Sequence, residues 1–122
     1  QRFFRSTVLS SYYFRCCITG LSIPDLLVAS HIIPWSRNKE QRLNPRNGLC
    51  LNWIHDRAFD QGYITITPDF RVKISPVFEV FANENAVQDF FVKIENQKIN
   101  LPDKFLPARE FLDYHYDAIF KK

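Results

Sequence analysis

Pro34 constrains this chain more than any other single residue. It stops an apolar, strand-like run over residues 26–33, because proline has no backbone N–H to carry a ladder onward. Residues 36–46 then form a polar loop without periodicity, carrying Arg37, Lys39, Arg42 and Arg46 against one acid, Glu40. The loop ends at Asn47-Gly48, a strong tight-turn signal, and the apolar Leu49-Cys50-Leu51 follows. The middle of the chain is therefore predicted as two short strands around a polar loop. Asn52 is a good N-cap for a short helix over residues 53–59, which Gly62 ends.

The flanks complete an α+β pattern. Phe4, Val8, Leu9 and Tyr12 recur at helical spacing and predict an amphipathic helix over residues 3–13. Cys16-Cys17-Ile18 is predicted as a short strand closed by Thr19-Gly20. Residues 63–66 and 72–74 alternate about Pro68-Asp69 as a β-hairpin. Residues 76–100 give no firm assignment, and a last helix is predicted from about Pro107, with Phe111, Leu112, Tyr116, Ile119 and Phe120 on one face.

A chain of 122 residues with 46% apolar and 24% charged residues is sized for one globular domain with its own core. No apolar run approaches the roughly 20 residues of a membrane helix, and Arg2 and Arg5 interrupt any signal-like start. Methionine is absent even at position 1, so the expectation is a domain cut from a longer protein. Three cysteines, Cys16, Cys17 and Cys50, cannot all pair, and two are adjacent. Reduced, buried thiols in a cytoplasmic protein are expected, and the paired spacing of a zinc site is missing. A formal charge of +3 permits a nucleic-acid partner without requiring one.

Three residues stand out as a possible site. His31 ends a strand, Asn47 opens a turn 16 residues on, and His55 lies on the short helix eight residues later. Folded back on itself, this strand–loop–strand–helix could bring both histidines to one small cleft. The Asn47 amide, with two donors and an acceptor, could tie the loop to the strand backbone.

Read together with Phe4-Arg5, Val8-Leu9, Tyr12 or Tyr13, Cys17-Ile18-Thr19-Gly20, residues 29–35, Arg42, Pro45, Asn47-Gly48-Leu49, Leu51, His55-Asp56, Ala58-Phe59-Asp60 and Gly62, the chain resembles the HNH endonuclease family, in its restriction-type subgroup. The likeness covers residues 3–75, and the C-terminal "FLDYHYDAIF" also looks like that subgroup. It implies a ββα-metal (His-Me finger) core with flanking helices and an extra hairpin, in one domain spanning residues 1–122. By the same resemblance the domain is the C-terminal catalytic module of a bacterial restriction-type protein. It would cut DNA with one divalent ion (Mg, Mn, Ni, Co or Zn), leaving a 5′ phosphate and a 3′ hydroxyl.

In that reading His31, with an ordinary pKa of about 6.5, is the general base. His55 holds the metal, and Asn47 positions the loop. Many family members carry Asp or His just before the base as a second ligand; here Ser30 stands there, a poor ligand for a hard cation. Asp60 is the nearest substitute, but five residues past His55 it points roughly 140° away on a helix, which favours a structural acid. Arg37, Lys39, Arg42, Arg46 and Arg57 are either phosphate contacts or an ordinary solvated surface. His115 is expected to be half-buried and hydrogen-bonded, and Trp35 and Trp53 to pack beside the site. No base-reading helix is evident, so sequence choice is assigned to other domains of the parent chain. Double-strand cleavage needs two sites or two visits, which a homodimer would supply. The alternatives are an inactive DNA-binding module of the same fold, suggested by Ser30, and a nuclease for RNA or modified nucleic acid.

Overall fold

The computed structural model describes residues 2–122. Its first helix, α1 (Arg2–Ser11), buries Phe4, Val8 and Leu9 as their spacing predicts. Each such side chain contributes roughly 1.5–3 kcal/mol of burial. The helix ends two residues early because Tyr13 and Phe14 both take positive φ, 59° and 54°, which an α-helix cannot accommodate.

Cys16-Cys17-Ile18 is a turn instead of the predicted strand. Gly20 N–H donates back to the Cys16 carbonyl and Cys16 N–H to Leu21. The chain therefore closes on itself before any ladder can form. Single bonds from Cys17 N–H to Cys50 and from Asn100 N–H to Cys17 satisfy the buried backbone.

Strand β1 (Leu27–His31) pairs antiparallel with β2 (Gly48–Asn52), from Leu27↔Asn52 to His31↔Gly48. The turn signalled at Asn47-Gly48 lies at the entry to β2. Asn47 finishes a short 3-10 turn over Pro45–Asn47, and Gly48 is already extended at φ −131°. Glycine is required there for space: a Cβ would stand 2.5 Å from Val8 Cγ2 and 3.0 Å from Phe4 Cζ. Helix α1 lies across the start of β2.

Helix α2 (Trp53–Asp60) follows β2 without a loop, and Asn52 caps it by accepting from His55 N–H. Gly62 then takes φ +81°, and the Ile119 carbonyl occupies the place of any side chain there. The predicted hairpin is present as β3 (Ile64–Ile66) and β4 (Val72–Ile74). The stretch left unassigned holds a 3-10 segment over Pro76–Phe81, helix α3 (Asn85–Phe90) and a second 3-10 turn over Val92–Ile94.

Helix α4 (Arg109–Ala118) closes the chain. His115 on it is buried, not half-buried. Its ring nitrogens meet Thr65 Oγ1 at 2.7 Å and the Phe59 carbonyl at 2.9 Å. The imidazole stacks on Phe59 at 3.7 Å, so one side chain ties α4 to β3 and α2. The three cysteines are buried and unpaired by disulfides. Among the described residues no helix is long and apolar enough to cross a membrane.

Candidate active site

The β1 end and the solvent side of α2 enclose a cleft of about 350 Å³, lined by Ser30, His31, Pro34, Trp35, Asp56 and Asp60 among others. His31 Nε2 lies 2.8 Å from the Arg42 carbonyl. A carbonyl only accepts, so Nε2 carries the proton and Nδ1 keeps its lone pair. Among the described residues no donor takes that pair. Burial pushes the His31 pKa below its ordinary value, which keeps the ring a base at neutral pH.

Asn47 is almost fully buried and spans the loop. Its Oδ1 accepts from Ile33 N–H at 2.8 Å, and its Nδ2 donates to the carbonyls of Ile33 and Gln41, both at 3.3 Å. The amide thus joins the segment leaving β1 to the middle of the long loop. The same loop holds Arg42, whose carbonyl receives His31.

His55 does not share this cleft. Its Nε2 donates to the Phe90 carbonyl at 2.7 Å, and Nδ1 accepts from Asn52 Nδ2 at 2.9 Å. It lines a separate, apolar cavity with Trp53 and Phe90. Asn52 Nδ2 also reaches Cys16 Sγ at 3.3 Å, so His55 belongs to a buried network joining three chain segments. Trp35 flanks His31 edge-on at 5.6 Å. Trp53, 60% exposed, stands away from the cleft instead of packing beside it.

The acids that do face His31 are Asp56 and Asp60, one helical turn apart on α2. The angular offset predicted between His55 and Asp60 is present, and it carries Asp60 into the cleft because His55 points out of it. Burial raises the Asp56 pKa, against the Ser30 hydroxyl and Arg57. Burial and the Asp56 charge push Asp60 up to about 6, although its exposed edge lets water screen part of that repulsion. The Ser30 hydroxyl is buried without a hydrogen-bond partner, yet close enough to Asp56 to favour its ionised form. Asp56 was missed in the sequence; the spacing of two acids by four in His55-Asp56-Arg57-Ala58-Phe59-Asp60 is the signal that marks it.

Residues 16–67, which hold β1, the loop, β2, α2 and β3, match the family model for HNH endonuclease. Over that segment the chain is similar to HNH endonucleases. No curated protein matches the chain. Among solved structures, the modification-dependent TagI restriction endonuclease resembles it with a TM-score of 0.66 and 18% identity, over 95% of this chain. At that identity the likeness is one of fold, and the domain spans 37% of the TagI chain.

The basic residues around the cleft divide by their contacts. Arg42 is committed to the site: its Nε donates to the Trp35 carbonyl at 2.7 Å and its guanidinium stacks 4.3 Å from the Trp35 ring. Arg46 Nε donates to Leu106, and Arg37 reaches the Tyr114 hydroxyl at 3.3 Å. Arg37, Lys39, Arg46 and Arg57 are all exposed. Arg57 lines a second apolar cavity beside Trp53 while its charge still acts on both cleft acids.

Proposed function

We propose that this domain hydrolyses DNA phosphodiester bonds, with His31 as general base and a divalent cation held by Asp56 and Asp60. The observation that carries the reading is the Nε2 bond of His31 to the Arg42 carbonyl, which leaves Nδ1 basic in a cleft shared with two carboxylates. The metal-holding part expected of His55 passes to the acid pair, since both His55 nitrogens are engaged elsewhere.

Among the described residues no three ligating side chains converge on one point, so the two acids would share such an ion with water and phosphate oxygens. Two acids one turn apart repel each other, and the buried Ser30 hydroxyl beside them has no partner. A cation relieves the first and offers the second a neighbour. Oxygen donors of this kind favour Mg or Mn over Zn or Ni. Bound there, the ion would supply charge stabilisation to the scissile phosphate and the departing 3′ oxygen.

The chain's own residues do the rest. His31 Nδ1 accepts a proton from the attacking water. Asn47 keeps the loop, and so the Arg42 carbonyl, where Nε2 needs it. Arg37, Lys39, Arg46 and Arg57 are assigned to phosphates flanking the cut, and Arg42 to the framework of the base.

The deciding experiment is plasmid cleavage with Mg, Mn, Co, Ni and Zn in turn, beside a chelator control and His31→Ala. Metal-dependent nicking that disappears in His31→Ala is expected. Retained nicking in that variant would overturn the assignment. Competition with RNA at equal nucleotide concentration tests the substrate class.

A further inference from the structure

We propose that helix α1, which lies outside the segment matched by the family model, supplies Phe4 as a positioning residue that fixes the plane of the His31 imidazole. The inference rests on the nuclease reading of His31 and deepens it. The two rings are stacked almost parallel, with centroids 4.2 Å apart and 7° between planes. Phe4 is 2% exposed and cannot swing away. Trp35 meets the imidazole edge-on at 5.6 Å and 74°, and Nε2 is tied to Arg42. The ring is thus covered on one face, bounded at an edge and bonded at one nitrogen.

A histidine at a strand end has a broad χ2 torsion and would otherwise rotate. Its Nδ1 would then sweep across the cleft, and misplacement by about 1 Å can cost on the order of 100-fold in rate. The fold makes room for the stack at one position. Gly48 sits opposite His31 in the β1–β2 register, and any side chain there would displace Phe4 and Val8. The pairing of a glycine with His31 is what lets α1 come down onto the imidazole.

The test uses the whole 122-residue chain and three variants: Phe4→Leu, which keeps apolar bulk but has no flat face; Phe4→Met, a second replacement should the first fold poorly; and Leu9→Ala, a core change in the same helix that makes no ring contact with His31. In the metal-free protein with chelator, ¹⁵N and ¹H resonances of the His31 ring report its tautomer and the ring current of Phe4. With Mn and a nicked-product assay, kcat and KM are measured separately. Expected for Phe4→Leu or Phe4→Met is loss of the upfield ring-current shift and about a 10-fold fall in kcat, with KM within twofold. Leu9→Ala is expected to lower Tm while keeping both the resonances and kcat. Unchanged His31 resonances and kcat in the Phe4 variants overturn the proposal. So does an equal fall in kcat for Leu9→Ala. Should the wild-type chain cut no substrate, the nuclease reading fails, and the resonances alone still decide whether Phe4 orients His31.

Discussion

At the scale of single residues, the cleft sets charge against stability. Asp60 has a folded pKa raised to about 6, above its unfolded value of about 3.9. The sign follows: stability from this group is complete below the unfolded value and is lost as pH rises through 6. Asp60→Asn is therefore expected to stabilise the metal-free protein at pH 7–8, by no more than about 1 kcal/mol because water screens the exposed edge. The same variant should lose the rise in Tm that Mn gives the wild type. Thermal melts with and without Mn check both, and an unaltered Mn shift would remove Asp60 from the metal assignment. His55→Ala should do the opposite. It leaves the Phe90 carbonyl without its donor and takes one of two partners from Asn52 Nδ2, costing about 2–4 kcal/mol, while the Mn-induced shift persists. A vanished shift in a folded His55→Ala protein would return the metal to His55.

At the scale of elements, the unit that matters is β1, the loop over residues 32–47, β2 and α2. Asn52 works at its join: it caps α2, holds His55 and reaches Cys16. Asn52→Ala should cost about 2 kcal/mol, the upper range for a lost cap, measured by urea melts. It should leave the salt dependence of DNA binding unchanged. Asn47→Ala acts differently, because its amide holds the loop whose Arg42 carbonyl receives His31. Cleavage should fall by 10-fold or more with DNA affinity kept, and equal losses in both would argue for general loosening. Helices α1, α2 and α4 and the hairpin were legible from their spacing, caps and turn residues, whereas α3 lay in the stretch that gave no firm assignment. The turn at residues 16–20 was not, because Cys-Cys-Ile has strand-like composition and only its bonds to Leu21, Cys50 and Asn100 define its shape. The turn at the end of the loop was legible, but the reason for its glycine was not, because Gly48 answers to α1 packing above it.

At the scale of the whole molecule, His115 links the C-terminal helix to the helix that bears the acids. Burial lowers its folded pKa to about 4, from an unfolded value of about 6.5. Both states are neutral above pH 6.5, so the folded protein keeps its full stability there. Below that the unfolded chain binds the proton first, and about 3 kcal/mol is lost as pH falls from 6.5 to 4. His115→Gln should flatten that limb of the pH–stability curve, and urea melts between pH 4 and 7.5 would show it; a limb as steep as wild type would assign the loss to other groups. By itself the sequence determined the order and kind of most elements, the buried apolar faces of α1 and α4, the N-cap at Asn52 and the likeness of residues 16–67 to HNH endonucleases. These follow from local periodicity, capping chemistry and short motifs. Only the tertiary structure decided which side of α2 meets His31. Successive residues His55 and Asp56 are separated by about 100° around the helix. The packing of α2 against the strands turned the histidine toward Phe90 and the aspartates toward the cleft. The stack of Phe4 on His31, 27 positions apart in the chain, belongs to the same class, since it exists only where α1 crosses a glycine on β2.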